Sequence, residues 1–152
     1  MAIQRIGFAV CFGLALFGAG AVAQNSPPAA ANYAWAGTCR GCHEAVYEAW
    51  AKTKHASALN RLSGAEQATP CLGCHVTGPK VRVLDGNKVL NAGVQCESCH
   101  GPGAAHVADP AVRTGLTRVP PTELCEQCHS DKSPRFKGFF YSAMAGLSHK
   151  HK

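Results

Sequence analysis

Residues 96–106 read Cys-Glu-Ser-Cys-His-Gly-Pro-Gly-Ala-Ala-His, a run with two histidines separated by a glycine-proline-glycine turn. The first five of these residues form a Cys-x-x-Cys-His motif, which recurs at 39–43, 71–75 and 125–129. Apart from Cys11 near the N-terminus, every cysteine of the chain belongs to one of the four motifs. None of the cysteines after Cys11 is therefore left for a separate disulfide framework.

The Cys-x-x-Cys-His motif is typical of covalent haem attachment. Two cysteines at this spacing reach both former vinyl groups of a haem from one turn of backbone, and the following histidine presents its imidazole to the iron. We therefore predict four covalently bound haem c groups, each with its iron. The attachment cysteines are Cys39, Cys42, Cys71, Cys74, Cys96, Cys99, Cys125 and Cys128, and the proximal iron ligands are His43, His75, His100 and His129.

Three other interpretations of paired cysteines explain the sequence less well. Two tetrahedral zinc sites would use four cysteine pairs, but they would not require a histidine after every pair. A thioredoxin-like redox pair needs a strand–helix–strand context that the sequence does not show. Four disulfides suit an exported chain, but they too leave the four histidines without a role.

The N-terminus has the features of a secretory signal peptide. Arg5 supplies a positive charge, an apolar run follows over 6–18, and Ala21-Val22-Ala23 fits a cleavage site. We predict a cleaved signal at 1–23, a flexible linker at 24–36 rich in Pro, Ala and Asn, and a haem-binding domain at 37–152. The alternative is an uncleaved membrane anchor, for which the apolar run is short.

The net charge of the chain, +6 with neutral histidines, is a poor guide to its partners. Each haem adds two propionates, which would offset the basic residues, so the charge does not indicate binding to nucleic acid or to anionic membranes. We predict redox proteins as partners, no nucleic acid, and no stable membrane span once the signal is removed.

The pattern of apolar residues predicts a mainly α-helical fold with much irregular loop and one small β-hairpin, packed around the haems. The spacing of apolar residues favours a helix over 44–62. Alternation around Asp85-Gly86 indicates a hairpin within 81–90. Further along, Thr122 is the predicted N-cap of a helix that leads into the fourth motif. The final predicted helix begins near Pro134 and carries an apolar face of Phe136, Phe139, Phe140, Met144 and Leu147.

Four histidines lie outside the motifs, and they decide what each iron can do. They are His55, His106, His149 and His151. A second histidine on an iron gives a low-spin electron carrier, whereas an open position lets the iron bind small ligands. Four further histidines for four irons suggest distal ligation, although each could also be an ordinary surface residue.

The sequence resembles the tetrahaem cytochromes of the cytochrome c-554 type. The resemblance rests on the first motif with Tyr47, Trp50 and Lys54-His55, on residues 96–106, and on the fourth motif with Pro134, Phe136 and a late histidine. The Gly-Pro-Gly-Ala-Ala-His continuation of the third motif is its most specific part. The likeness covers most of residues 37–150, and the chain is shorter than the nitrifier proteins between its motifs.

The resemblance implies distal ligands for three of the four haems. His106 would cap the first haem, His55 the third and His149 the fourth, with His151 able to replace His149. The second haem, attached at Cys71 and Cys74 with His75, would be five-coordinate.

Taken together, these features predict a periplasmic electron-transfer protein that relays electrons between redox partners, with no catalytic residues of its own. No Ser-His-Asp set or nucleotide-binding loop indicates other catalysis. One alternative is a nitric oxide-type reductase or binder at an open second haem. Another is a homo-oligomeric haem filament in which His149 or His151 ligates a haem of a neighbouring subunit.

Overall fold

A computed structural model describes residues 30–68 and 70–148 of the chain. The predicted signal peptide, the first part of the predicted linker, and both His149 and His151 lie outside this part. No helix within the described residues is long and apolar enough to cross a membrane. The helices are α1 (Trp35–Cys39), α2 (Glu44–Ala51), α3 (Leu72–His75), α4 (Cys96–His100), α5 (Ala104–Ala108), α6 (Thr122–Glu126) and α7 (Tyr141–Met144), and the strands are β1 (Leu84–Asp85) and β2 (Lys88–Val89). Short 3₁₀ turns occupy Ala30–Asn32, Leu59–Arg61 and Ala145–Leu147.

The helices are short, and several coincide with the motifs. α2 has eight residues, and the other helices have four or five. Isolated helices shorter than about 12–15 residues are marginal in water, so contacts between segments must stabilise these. The expected class, mainly helical with irregular loop and one small hairpin, is confirmed.

The predicted helix over 44–62 is wrong in its second half, because α2 ends at Ala51. The Thr53 hydroxyl accepts a hydrogen bond from a backbone N–H in the following turn (3.3 Å). The His55 carbonyl accepts one from Val94 N–H (2.9 Å). These bonds replace the regular helical ladder, so His55 lies beyond the helix rather than on it.

The predicted hairpin within 81–90 is confirmed, although its strands have only two residues each. Leu84 pairs with Val89 and Asp85 with Lys88 in antiparallel register. Gly86 begins the two-residue turn with a φ of 55°. A positive φ at this position suits glycine and the tight hairpin turns that match the twist of the strands.

The start of α6 differs by one residue from the prediction. Thr122 is the first helical residue, and Pro121 occupies the N-cap position with φ −72° and ψ 157°. N-cap residues adopt such extended geometry, and the ring of proline fixes a compatible φ.

The predicted helix with an apolar face from Phe136 to Leu147 is largely wrong. Only Tyr141–Met144 is α-helical, and a 3₁₀ turn follows it. Gly138 has a φ of 91°, which is outside the helical range and interrupts the segment. Phe140 and Leu147 are 70% and 74% exposed, so they do not form part of a peptide core.

The apolar core of the described residues is small. Leu59, Leu72 and Val76 form its buried centre, and Leu62, Val89 and Ala92 pack against it. This core joins the hairpin to the second motif, because Leu72 lies inside that motif. Four polar side chains, which we call the polar hub, are as deeply buried as the apolar core: Thr77, Asn91, Gln95 and Glu97.

The polar hub fixes backbone that has no regular hydrogen-bond ladder. Asn91 donates to three carbonyls of the 77–81 loop (2.8–3.2 Å) and accepts from Val83 N–H (2.8 Å). Gln95 accepts from Ala36 N–H (2.7 Å) and donates to the carbonyls of Leu90 and Ala92 (2.7 and 3.0 Å). Because an unpaired buried polar group costs free energy, these bonds specify one loop geometry.

The structure describes the last residues, 30–36, of the linker predicted at 24–36. Residues 30–32 form a 3₁₀ turn, and α1 begins at Trp35. Glu97 and Gln95 hold the N–H groups of residues 34–36, which explains why this segment is fastened to the domain.

Candidate haem-binding site

The first motif joins α1 to α2. Its backbone turns back on itself, since His43 N–H bonds to the Cys39 carbonyl (2.9 Å). Arg40 forms ion pairs with Glu48 (2.9 Å) and Glu44 (3.5 Å), and its guanidinium lies 5.3 Å from the centre of the Tyr47 ring. The two helices are thus held on either side of His43.

The structure places His106 opposite His43. Their ring centres are 6.5 Å apart and their planes differ by 20°. His106 Nδ1 lies 3.0 Å from the Val112 carbonyl oxygen, a contact that orients the ring and leaves Nε2 for a metal. The resemblance paired His106 with the first motif, and the structure brings these two residues together.

The structure places His55 opposite His129 of the fourth motif, not opposite the third motif as the resemblance led us to expect. The ring centres are 5.9 Å apart and the planes are inclined by 64°. Phe139 stacks on His129 with a centre distance of 4.8 Å. Burial, and then the neighbouring His129, lower the pKa of His55, which favours the neutral imidazole that binds metals.

The position of His55 depends on close backbone packing at Gly93. A Cβ atom at Gly93 would lie 2.5 Å from the Ala56 carbonyl oxygen and 2.9 Å from that of His55. Gly93 also has a φ of 80°. Only glycine lets the two segments approach this closely, and the approach permits the Val94–His55 bond.

The histidines of the second and third motifs are also oriented by backbone carbonyls. His75 Nδ1 lies 2.7 Å from the Ala58 carbonyl oxygen, and His100 Nδ1 lies 2.7 Å from that of Thr117. Such contacts at Nδ1 fix the ring and its tautomer, as they do for metal-binding histidines generally. His149, expected near the fourth motif, and His151 lie outside the described residues.

The cysteines of the motifs are unbridged, and thiols of different motifs lie side by side. The hydrogen bond from Cys39 to Cys96 and then burial raise the pKa of Cys39. Burial, followed by a hydrogen bond to Cys74, raises the pKa of Cys128 to about 12. The first attachment site therefore adjoins the third, and the second adjoins the fourth.

The residues present fit haem c. Metal–imidazole bonds are about 2 Å long, so two imidazoles on opposite faces of one iron have ring centres roughly 6 Å apart, close to the observed 6.5 and 5.9 Å. Eight unbridged cysteines are available for thioether bonds. A cavity of about 480 Å³ beside the first motif has Trp35, Tyr47 and Trp50 among its walls, and aromatic walls suit a flat apolar group.

In the described part of the chain, no comparable arrangement of side chains supports the zinc interpretation. No three His, Cys, Asp or Glu side chains converge there as a metal-binding group.

Comparison with known proteins relates part of the chain to one family. Residues 38–101, which contain the first three motifs, match the family described as cytochrome c554 and c-prime. Cytochrome c-554 of Nitrosomonas europaea is 34% identical over 85 residues, a match that covers 43% of this chain and 36% of that protein. These matches support a multihaem cytochrome of the cytochrome c-554 type. Its cofactor is covalently bound haem c.

Two further comparisons extend this result. The multiheme cytochrome MtrA of Shewanella baltica is 33% identical over 79 residues, covering 42% of this cytochrome and 24% of MtrA. The matches thus span well under half the length of either relative. The fold resembles reduced cytochrome c554 from Nitrosomonas europaea with a TM-score of 0.50, 24% identity and 78% coverage of both chains.

Sequence reasoning missed the polar hub of this cytochrome. Glu97 occupies a variable position of the third motif, and Asn91 and Gln95 lie in a segment without helical or strand periodicity. One feature of the sequence could have indicated the hub. Three polar residues, Asn91, Gln95 and Glu97, lie within positions 91–97, just before and inside the third motif. The pairing of His55 with the fourth motif was also missed, because it depends on the packing of Gly93.

Proposed function

We propose that this cytochrome is an exported electron carrier with four haem c groups, one attached at each motif. The proximal ligands are His43, His75, His100 and His129, and the distal ligands of the first and fourth haems are His106 and His55. The observation that carries the proposal is the facing of two histidine pairs at the separation required by one iron. Two histidines on an iron suit electron transfer rather than ligand binding.

The residues of the chain hold and orient the redox groups. Bound haem supplies one-electron redox chemistry. Backbone carbonyls at Nδ1 orient His75, His100 and His106. The neighbouring thiols Cys39 and Cys96, like Cys74 and Cys128, bring attachment sites together in pairs, which supports electron relay within the domain between an external donor and an external acceptor protein.

Electron paramagnetic resonance of the oxidised protein tests the ligand assignment. His106→Ala and His55→Ala should each convert one low-spin ferric signal to a high-spin signal, because each removes a distal ligand. Val107→Ala and Lys54→Ala are matched controls, since each alters the neighbouring residue on the same segment. An unchanged spectrum in either histidine variant would contradict that assignment.

Intact mass tests the remaining parts of the proposal in the same samples. Purified protein should have the mass of residues 24–152 plus four haems, because the predicted signal ends at Ala23 and each motif attaches one group. A mass that retains residues 1–23, or one that accounts for fewer haems, would overturn export processing or the haem count respectively.

A second candidate function is binding of a small ligand such as nitric oxide at the second haem. The two described histidines outside the motifs, His55 and His106, face the fourth and first motifs rather than His75. One high-spin signal in the unaltered protein that changes on addition of nitric oxide would support this function. Four low-spin haems would exclude it.

A further inference from the structure

Glu97 binds backbone at two distant places in the chain. Its Oε1 accepts hydrogen bonds from Ala34 N–H (2.8 Å) and Gly103 N–H (2.7 Å), and its Oε2 accepts one from Trp35 N–H (2.8 Å). The residue is only 6% exposed. All three partners are donors, which is the set that an ionised carboxylate accepts.

The three bonds hold the segments that carry the first histidine pair. Trp35 begins α1, which leads into the first motif and His43, and Gly103 immediately precedes α5, which carries His106. Glu97 itself lies on α4 in the third motif. One side chain therefore fastens both halves of the His43–His106 pair to a common support.

The backbone conformation of Trp35 indicates that contacts with Glu97 constrain this segment. Trp35 has a φ of 63°, in the left-handed region that bulky residues avoid. Such a conformation is energetically unfavourable for a bulky residue and persists only where surrounding contacts impose it. The bond from Trp35 N–H to Glu97 is a contact of this kind.

The charge of Glu97 reaches the same site. Burial, and after it the charge of Glu97, raise the pKa of Tyr33. Glu97 also contributes to the raised pKa of the Cys39 thiol, after a hydrogen bond to Cys96 and burial. The hydrogen bonds to Ala34, Trp35 and Gly103 place this carboxylate beside the first attachment segment, in a position shielded from solvent screening.

Given the ligand pairs of the proposed function, we infer that Glu97 is a positioning residue that holds His43 and His106 opposite each other and whose buried negative charge lowers the reduction potential of the haem they ligate. A negative charge favours the ferric state, which carries one more positive charge than the ferrous state.

The chain supplies a matched control for this inference. Glu126 occupies the same position of the fourth motif as Glu97 does in the third, but it is exposed to solvent. Potentiometric titration of haem-loaded Glu97→Gln should show the ferric-to-ferrous equilibrium of the haem ligated by His43 and His106 shifted about tenfold toward ferrous, or about 59 mV for one electron. Glu126→Gln should shift the potentials much less, because the charge of Glu126 is exposed to solvent and screened. Equal potentials in the two variants would overturn the electrostatic role.

Glu97→Asp separates position from charge. It keeps the carboxylate but shortens its reach, so the low-spin signal of the haem ligated by His43 and His106 should shift in electron paramagnetic resonance while the potentials move less than in Glu97→Gln. A spectrum identical to that of the unaltered protein would overturn the positioning role, and this variant remains decisive if Glu97→Gln accumulates poorly.

The ligand assignment fails separately from this inference. An absent high-spin signal in His106→Ala would remove the assignment of His106 itself. A high-spin signal there, together with Glu97 variants that behave like Glu126→Gln, would leave the assignment intact and remove only the role of Glu97.

Discussion

The third and fourth motifs begin with the same two residues, Cys-Glu, yet they are embedded differently. The third lies on α4, with Gln95 before it and Glu97 within it both buried and bonded to other segments. The fourth begins within the last turn of α6, and its two variable positions, Glu126 and Gln127, are exposed. One motif therefore provides attachment alone, whereas the other also fastens the fold together.

The largest expected effect that tests this contrast comes from Gln95. Gln95→Ala removes three side-chain hydrogen bonds, of which the one to Ala36 is buried and the other two are partly buried, so it should reduce the free energy of unfolding by about 3 kcal/mol. Gln127→Ala, at the exposed position of the fourth motif, should change it by no more than about 0.5 kcal/mol. Denaturant unfolding followed by circular dichroism in the haem absorption band measures both. Equal losses would remove the distinction between the motifs.

A smaller effect is expected at the glycines that border the third motif. Gly101 has φ 93° and ψ 168°, and a Cβ atom there would collide with the Gly115 carbonyl oxygen. Gly101→Ala should therefore cost about 2 kcal/mol or more. Gly115 also has a positive φ, 80°, but its Cβ direction is open, so Gly115→Ala should cost only about 1 kcal/mol.

The same denaturant titrations compare these glycine variants. The Gly101 variant should also shift the electron paramagnetic resonance signal of the third haem, because Thr117, next to this contact, orients His100 through its carbonyl. A larger loss in Gly115→Ala would contradict the packing argument.

The smallest expected effect concerns Tyr33. Because the charge of Glu97 contributes, after burial, to its raised pKa, Glu97→Gln should lower the pKa of Tyr33 toward the ordinary value of tyrosine. Burial would still keep it somewhat raised. Glu126→Gln should not move it. Nuclear magnetic resonance of protein labelled at the tyrosine Cζ carbons resolves this among only three tyrosines; equal values in both variants would show that the field of Glu97 does not reach the ring.

The features of the fold and site that could be predicted from the sequence depend on local chemistry. The spacing of Cys-x-x-Cys-His indicates attachment without knowledge of the fold, and Asp85-Gly86 together with Gly101-Pro102-Gly103 indicate turns because glycine tolerates positive φ. The hairpin turn occurs in the structure, and Gly101 adopts a positive φ of 93°. The start of the helix at Glu44 was also predictable, because the spacing of apolar residues is a local property of the sequence.

The remaining features depend on contacts between distant residues. The end of α2 at Ala51 and the placement of His55 depend on Val94 and Gly93. Two of the three backbone partners of Glu97 are about sixty residues earlier in the chain, at 34 and 35. The apolar pattern after Phe136 resembles that of a helix, but those side chains are largely exposed in the described structure. Contacts between such distant residues cannot be predicted from the pattern of residues along one sequence.

The polar hub affects the order in which parts of the molecule unfold locally. Backbone amides of Ala34, Trp35, Ala36, Val83 and Gly103 are bonded to side chains of the hub instead of to a helix or a sheet. Their hydrogens can exchange with deuterium from solvent only when a buried Asn, Gln or Glu releases them. The slowest-exchanging amides of this small cytochrome should therefore trace the surroundings of three polar side chains, and the short helices around them should exchange first.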